Sequence, residues 1–348
     1  MVRRKVERYE LPEHDRFPLE HHFEPIPVPA PDELFADLRS DEHRSSPRAL
    51  REAPTVQPPC PGCGRVDGFS VLYSDLPNID TRDSAIVECP DCSYVFLSPR
   101  QRELSDSWWN AETYVTDCLI PRMRKEKQID EHGRFDPNRN WLLQRAITYG
   151  LEAIAEGLPR RVLDVGCSFG GLVHALRSAG WDATGIEPSE HVARLGRALG
   201  NDIRIGTFDA LGEHEDVPCI VMTEVLEHCF DPREAIRAAH RALAPGGLFF
   251  VSVPNFDGRT RKEQGKAWGE FVTDHFSYFT GTTLGRMLVD EGFANVELLT
   301  TEGFPILVTP LPGPDVRAMQ AKRQQDAWSW ITEDHSGAAL YAWAIKPR

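Results

Sequence analysis

Residues 162–171 read Val-Leu-Asp-Val-Gly-Cys-Ser-Phe-Gly-Gly, an apolar strand that runs into a turn of small residues and then into a helix. Glycines let the backbone of such a turn approach a ligand closely. The first turn of the following helix adds N–H groups that have no partner within the helix. The stretch therefore predicts a strand–turn–helix unit at the edge of a parallel sheet where ligands bind.

Two acidic residues indicate which ligand this edge would take. Asp164 lies two residues before the first glycine of the turn, and Glu187 ends the next predicted strand. A carboxylate at position 164 would repel a pyrophosphate, which disfavours a dinucleotide, but it suits a ligand with cationic amino and sulfonium groups. Glu187 can accept hydrogen bonds from both hydroxyls of a ribose. The alternatives are that Asp164 caps a helix and that Glu187 is a solvated strand end.

From residue 161 onward, strands and helices alternate. The predicted strands cover residues 162–165, 183–186, 203–205, 219–222, 248–253, 296–299 and 340–345. Asp231 is expected to cap the helix after the fourth strand, with Pro232 at its first position. Alternation of this kind predicts an α/β fold with a doubly wound, mainly parallel seven-stranded sheet.

Four motifs in this order resemble those of the class I S-adenosylmethionine-dependent methyltransferases, which have a Rossmann-like fold. They occupy residues 164–170, 185–188, 223–228 and 243–247. The resemblance implies S-adenosylmethionine as cofactor and a binding site made of Asp164, Gly166, Ser168, Gly170, Glu187, Pro188, Phe208, Asp209 and Thr223. In this family Asp164 and the turn would hold the methionine part, and Glu187 the ribose. Phe208 or Asp209 would contact the adenine, and Thr223 would lie near the methionine end.

Four of the eight cysteines form two Cys-x2-Cys pairs: Cys60 with Cys63, and Cys89 with Cys92. Four thiolates can surround a zinc ion tetrahedrally, and such a site is structural because no position stays open. We therefore predict a small zinc ribbon over residues 56–102; two redox dithiols or chance cysteines are the alternatives. This module is similar to that of methyltransferases with a zinc-binding domain, some of which methylate a carbon of nucleotide-linked sugars.

Two histidines are candidate catalytic bases, because imidazole can take a proton near neutral pH. His275 follows Asp274 in an aromatic run, and the sugar C-methyltransferases have a comparable acid–His pair. Their neighbouring tyrosine corresponds to Val272 here. His228 follows the fourth predicted strand. For either residue the alternative is a hydrogen-bonded structural histidine.

The remaining segments have weaker signals. Residues 1–55 are rich in proline and charge and predict a disordered or extended arm, which either docks a protein partner or is a variable tail. Residues 103–158 are expected to form a helical linker or lid, and residues 159–348 the methyltransferase domain.

The composition excludes several classes of protein. The net charge of −14 over 348 residues disfavours nucleic acid and anionic membranes as partners. With no apolar run long enough for a bilayer and no secretory signal, a cytoplasmic protein is expected. The sequence thus predicts a methyltransferase acting on a small-molecule acceptor, such as a sugar or a secondary metabolite. The alternatives are a methyltransferase-like protein that binds a partner, or an RNA or protein methyltransferase with the zinc ribbon as reader.

Overall fold

A computed structural model of the chain describes residues 24–36, 55–79, 83–101, 114–212, 215–301 and 335–348. All residues predicted for the cofactor, base and metal sites lie within these ranges. Most of the predicted arm and residues 102–113 of the predicted linker lie outside them.

The strands of the described residues are β1 Ile26–Pro27, β2 Thr55–Val56, β3 Ser70–Tyr73, β4 Ala85–Glu88, β5 Val95–Ser98, β6 Arg100–Gln101, β7 Arg134–Phe135, β8 Arg161–Val165, β9 Asp182–Glu187, β10 Ile203–Ile205, β11 Val217–Thr223, β12 Leu243–Pro254, β13 Ser277–Tyr278, β14 Ala294–Thr301 and β15 Ala339–Ile345. The α-helices are α1 Pro31–Leu34, α2 Ile120–Lys125, α3 Pro137–Ile154, α4 Gly171–Ser178, α5 Glu190–Ala198, α6 Pro232–Ala242, α7 Arg259–Gln264 and α8 Gly281–Asp290. A π-helix covers Tyr114–Leu119, and 3₁₀ turns cover Phe208–Ala210, Leu226–His228 and Gly265–Ala267.

The central sheet has seven strands in the order β10-β9-β8-β11-β12-β15-β14. The five strands from β10 to β12 are parallel, and β15 runs antiparallel between β12 and β14. The predicted doubly wound, mainly parallel sheet is confirmed. Its order changes direction at β8, so the carboxyl ends of β8, β9 and β11 border the crevice where such sheets bind ligands.

Side chains of the central strands alternate between two apolar layers, as the two-residue period of a strand requires. Leu163, Val165 and Met222 face one layer, which includes residues of α6 and α8. Val162 and Val221 face the other layer, which includes residues of α3, α4 and α5. Both faces of the sheet are thus covered, which explains why β11 and β12 read as nearly continuous apolar runs.

The cysteine-rich segment joins the central domain through a second sheet of order β13-β5-β4-β3, which is antiparallel. Strand β13 comes from the region of the predicted base His275, so this sheet is completed by the C-terminal half of the chain. Arg100 stabilises the contact between this sheet and the central domain, because its buried guanidinium donates hydrogen bonds to the backbone oxygens of Phe276 and Phe230. Tyr94 and Phe96 belong to the same apolar core as Phe279.

Residues 24–36, inside the segment predicted as an arm, pack against the central domain. Strand β1 pairs with β7, and Phe35 is fully buried beside the ring of His191. The cluster that contains Phe35 also contains Phe169 of the glycine-rich turn. Within the described ranges, no helix combines the length and hydropathy needed to cross a bilayer.

Candidate cofactor and acceptor site

The glycine-rich turn after β8 has a backbone shape that depends on small residues. Gly166, Ser168 and Gly170 all have positive φ, at 75°, 54° and 82°. A Cβ atom on Gly166 would come within 2.5 Å of Val225 Cγ2, so only glycine fits there. The side-chain amide of Asn201 donates to the Phe169 oxygen at 2.8 Å and fixes the far side of the turn.

Two buried carboxyl groups lie beneath this turn. Asp164 is 2% exposed, and its Oδ1 has no hydrogen-bond partner among the described residues. Glu187 is 6% exposed and accepts from the backbone N–H groups of Ser168 and Ser189, both at 2.9 Å. Burial raises the pKa of each carboxyl group to about 7, and the charge of Glu187 adds to the rise at Asp164. A ligand that brings positive charge and hydroxyl donors would satisfy both groups, so these residues fit S-adenosylmethionine.

The other residues predicted for the cofactor lie along the same edge of the sheet. Pro188 directly follows Glu187, which is paired in register with Ile205 of β10. The 3₁₀ turn after β10 therefore brings Phe208 and Asp209 to the side of Glu187. Phe208 packs on the apolar core, whereas Asp209 is exposed and accepts from the Thr207 hydroxyl at 3.0 Å.

Thr223 ends β11 on the opposite side of β8 from Glu187. Val221 pairs with Asp164, so Thr223 lies two residues beyond the level of that carboxyl group. The structure thus brings the predicted cofactor residues to one edge of the sheet from the ends of four neighbouring strands, β10, β9, β8 and β11.

The two predicted bases lie together in space, although they are far apart along the chain: His228 lies 46 residues before Asp274, the neighbour of His275. The rings of His228 and His275 are 4.6 Å apart between centroids and meet edge to face. Nδ1 of His228 lies 2.9 Å from the backbone oxygen of Asp274. Because a carbonyl can only accept, Nδ1 carries the proton in this bond, and Nε2 has the lone pair of a neutral imidazole.

Both imidazoles are neutral at physiological pH. Burial lowers the pKa of His228, although the Asp274 carboxylate opposes the shift. Burial also lowers the pKa of His275 well below its usual value, and the neighbouring His228 adds to this effect. Each ring can therefore offer a lone pair, either to a proton or to a metal ion.

Three glutamates lie near the histidine pair, and none of them was predicted as a site residue. Glu224 has a φ of 56° and accepts from the Ser252 hydroxyl at 2.9 Å. Glu227 is 1% exposed, and the Glu270 carboxylate is 3.8 Å from His275 Nδ1. Burial raises the pKa of Glu224 to about 8 and that of Glu227 well above its usual value. The sequence feature that could have predicted them is the pair Glu224 and Glu227, which lie one and four residues after the end of the buried strand β11.

Tyr114 begins the π-helix and interacts electrostatically with both Glu187 and Asp274. Burial raises the pKa of its phenol to about 12, and the nearby charges of Glu187 and Asp274 contribute to the rise. The predicted lid segment therefore reaches the crevice at Tyr114. Trp108 and Trp109, from the same segment, lie outside the described residues.

The four predicted zinc ligands converge on one point. The sulfur atoms of Cys60 and Cys92 are 3.5 Å apart, as are those of Cys63 and Cys89, and all four lie within 4.8 Å of one another. A tetrahedral zinc ion with Zn–S bonds of about 2.3 Å needs sulfurs about 3.8 Å apart. The donor set and its spacing thus fit a four-thiolate zinc ion.

Comparisons with known proteins agree with this architecture. A family model described as a methyltransferase domain matches residues 135–298. The chain is similar to the ubiquinone biosynthesis O-methyltransferase of Pseudomonas aeruginosa strain UCBPP-PA14, with 35% identity over 127 residues, which are 33% of this chain and 50% of that protein. The Pseudomonas putida strain GB-1 protein of the same description is 31% identical over 161 residues, 44% of this chain and 60% of that protein.

The chain therefore spans about half the length of the curated relatives it matches. Among solved structures, it is similar to a S-adenosylmethionine-dependent methyltransferase from Thermotoga maritima, described as a possible histamine N-methyltransferase. That likeness has 19% identity and a TM-score of 0.46, and covers 67% of this chain and 96% of the other. Residues 135–298, which carry the family motifs and most of the seven-stranded sheet, are therefore a methyltransferase domain of the class I S-adenosylmethionine-dependent type.

Proposed function

We propose that the protein transfers a methyl group from S-adenosylmethionine to a hydroxyl oxygen of a small molecule, such as a sugar or a secondary metabolite. The observation that carries the cofactor side is the buried, mutually repelling pair Asp164 and Glu187. The observation that supports the acceptor side is the pair of imidazoles, His228 and His275, whose rings meet edge to face. The similarity to O-methyltransferases of ubiquinone biosynthesis supports oxygen as the acceptor atom.

The resemblance to the family supports the following roles for the cofactor residues. Asp164 would bind the amino group of the methionine part, and Glu187 would accept from the ribose hydroxyls. The turn around Gly166 would let the backbone approach the ligand, and Phe208 or Asp209 would contact the adenine. When bound, S-adenosylmethionine supplies a methyl group on a positively charged sulfur that leaves as a neutral thioether.

The histidine pair would prepare the acceptor. A hydroxyl oxygen attacks the methyl carbon in line with the breaking carbon–sulfur bond, so the acceptor must be oriented and its proton removed. Either His228 or His275 has a neutral ring that can accept this proton. Tyr114 and its segment would close the crevice and exclude water.

The four cysteines would hold a structural zinc ion at the contact between the small antiparallel sheet and the central domain. We further propose that residues 56–102 form a zinc module and that residues 103–158 form a linker or lid whose helix α3 also packs on the central sheet. Residues 1–55, of which residues 24–36 pack on the central domain, would in addition bind a protein partner.

Calorimetry with S-adenosylmethionine, followed by a methyl-transfer screen with isotopically labelled cofactor, tests this function. The screen would include phenols, sugars and nucleotide-linked sugars, and mass spectrometry would locate the methyl group. We expect cofactor binding and a methyl ether as product. Failure to bind the cofactor would refute the proposal, and a product methylated on carbon or nitrogen would refute the acceptor atom.

A further inference from the structure

A second group of ligand-type side chains lies in the crevice, apart from the four cysteines. Glu227, His228 and His275 each bring one donor atom to a common point, and these atoms lie within 4.8 Å of one another. Neither carboxylate oxygen of Glu227 has a hydrogen-bond partner among the described residues. A carboxylate that is 1% exposed and has no donor is costly, because burial removes its water without replacing it.

The surroundings of Glu227 worsen this cost. Its neighbours include two further carboxyl groups, those of Glu224 and Glu270. The group thus has the composition of a cation site: buried carboxyl oxygens next to two imidazole lone pairs.

We propose that Glu227, His228 and His275 bind a divalent transition-metal ion of the Mn²⁺ type, and that this ion holds the hydroxyl of the methyl acceptor. Two imidazoles and one carboxylate form the facial triad that binds octahedral ions and leaves three positions open. This inference rests on the proposed function, since it assigns the group that binds the acceptor.

The geometry needs only a small adjustment. Metal–ligand bonds of about 2.1 Å place ligand atoms about 3 to 4 Å apart, so the donors must move together by roughly 1 Å or less. His228 is already oriented for the role, because its Nδ1 is bonded to the Asp274 oxygen and its other nitrogen faces away from that bond. Metal-binding histidines are commonly oriented by such a contact to a carbonyl or carboxylate.

The ion changes how the acceptor hydroxyl is activated. A hydroxyl oxygen bound to a divalent ion becomes more acidic, so it can release its proton to water before it attacks the methyl carbon. His228 and His275 then serve as ligands and not as proton acceptors. The new oxygen–carbon bond replaces the carbon–sulfur bond, and the methylated product leaves the ion.

Titration of the full chain with Mn²⁺ measures the stoichiometry and the affinity of this site. Electron paramagnetic resonance gives the concentration of the unbound ion at each step. Manganese is suitable because it prefers oxygen and imidazole ligands over the thiolates of the cysteine site. The test variant is Glu227→Gln, which keeps the shape of the side chain and removes its charge. The matched control is Glu152→Gln. Glu152 lies in α3, is half-buried and forms an ion pair with Arg160.

We expect about one Mn²⁺ per chain in the wild type and in Glu152→Gln, and an affinity at least about tenfold lower in Glu227→Gln. Calorimetry with S-adenosylmethionine is run on the same samples. Cofactor binding without Mn²⁺ binding, or equal Mn²⁺ affinity in Glu227→Gln and the wild type, would overturn the metal site and leave an imidazole as the base. Mn²⁺ binding without cofactor binding would overturn the proposed function and keep the metal site.

Discussion

The carboxyl groups of Asp164 and Glu187 end two neighbouring parallel strands, and the charge of Glu187 raises the pKa of Asp164. Glu187 is partly satisfied by two backbone N–H groups, whereas the buried Oδ1 of Asp164 has no hydrogen-bond partner in the described part of the chain. Two acids in this arrangement destabilise the ionised pair until a cation or a set of donors arrives. The crevice is therefore complementary to a ligand with positive charge.

We expect Asp164→Asn to weaken S-adenosylmethionine binding by at least about tenfold, since a hydrogen bond to a charged group contributes about 1.5–3 kcal/mol. Calorimetry measures the loss. Asp182→Asn is the matched control, because Asp182 lies at the start of β9, at the opposite edge of the same sheet, and is exposed. Unchanged affinity in Asp164→Asn would contradict the proposed role of this carboxylate.

Cofactor affinity should depend on pH through the same pair. Both carboxyl groups have a pKa of about 7 in the folded protein, above the usual values of about 4, so they hold protons at pH 6 and lose them by pH 8. A cationic ligand prefers the ionised groups. Affinity should therefore rise between pH 6 and pH 8, with proton release detected by calorimetry in buffers of different ionisation enthalpy.

The stability of the ligand-free protein should change in the opposite direction. Between about pH 4 and pH 7 the folded state holds more protons on Asp164 and Glu187 than the unfolded state does, so the free energy of unfolding falls as pH rises. Denaturant unfolding at pH 5 and pH 8 measures this slope. The double variant Asp164→Asn, Glu187→Gln should have a shallower slope; an equal slope would exclude the pair as its source.

The central sheet could be predicted from the sequence because its signals are local. The turn at residues 162–171, the cap at Asp231 and the apolar run of β12 each specify their own element. The pairing of β13 with β5 could not, since it joins segments about 180 residues apart and β13 has only two residues. The role of Glu227 was also hidden. From the sequence, a single acid in a short turn is predicted to be exposed to solvent, and only the tertiary packing buries Glu227.

Replacement of one zinc ligand should affect the whole protein. The sulfur cluster packs into the same core as the central sheet, through Tyr94, Phe96 and Phe279. We expect Cys92→Ser to lose about one equivalent of zinc by elemental analysis and to lower the melting temperature by about 5 °C or more. Cys118→Ser is the control, since Cys118 is exposed and outside the cluster. Full zinc content in Cys92→Ser would contradict the four-thiolate site.

A pair of glycine variants separates backbone strain from steric exclusion in the cofactor turn. Gly166 and Gly157 have similar φ values of 75° and 84°, so alanine at either position costs about 1–2 kcal/mol of backbone strain. Only at Gly166 does the added Cβ meet another side chain, that of Val225, whereas nothing lies within 4 Å at Gly157. Gly166→Ala should therefore be less stable than Gly157→Ala and should bind S-adenosylmethionine much more weakly, because the turn must shift away from Val225. Equal cofactor affinity in the two variants would mean that the shape of this turn does not determine binding.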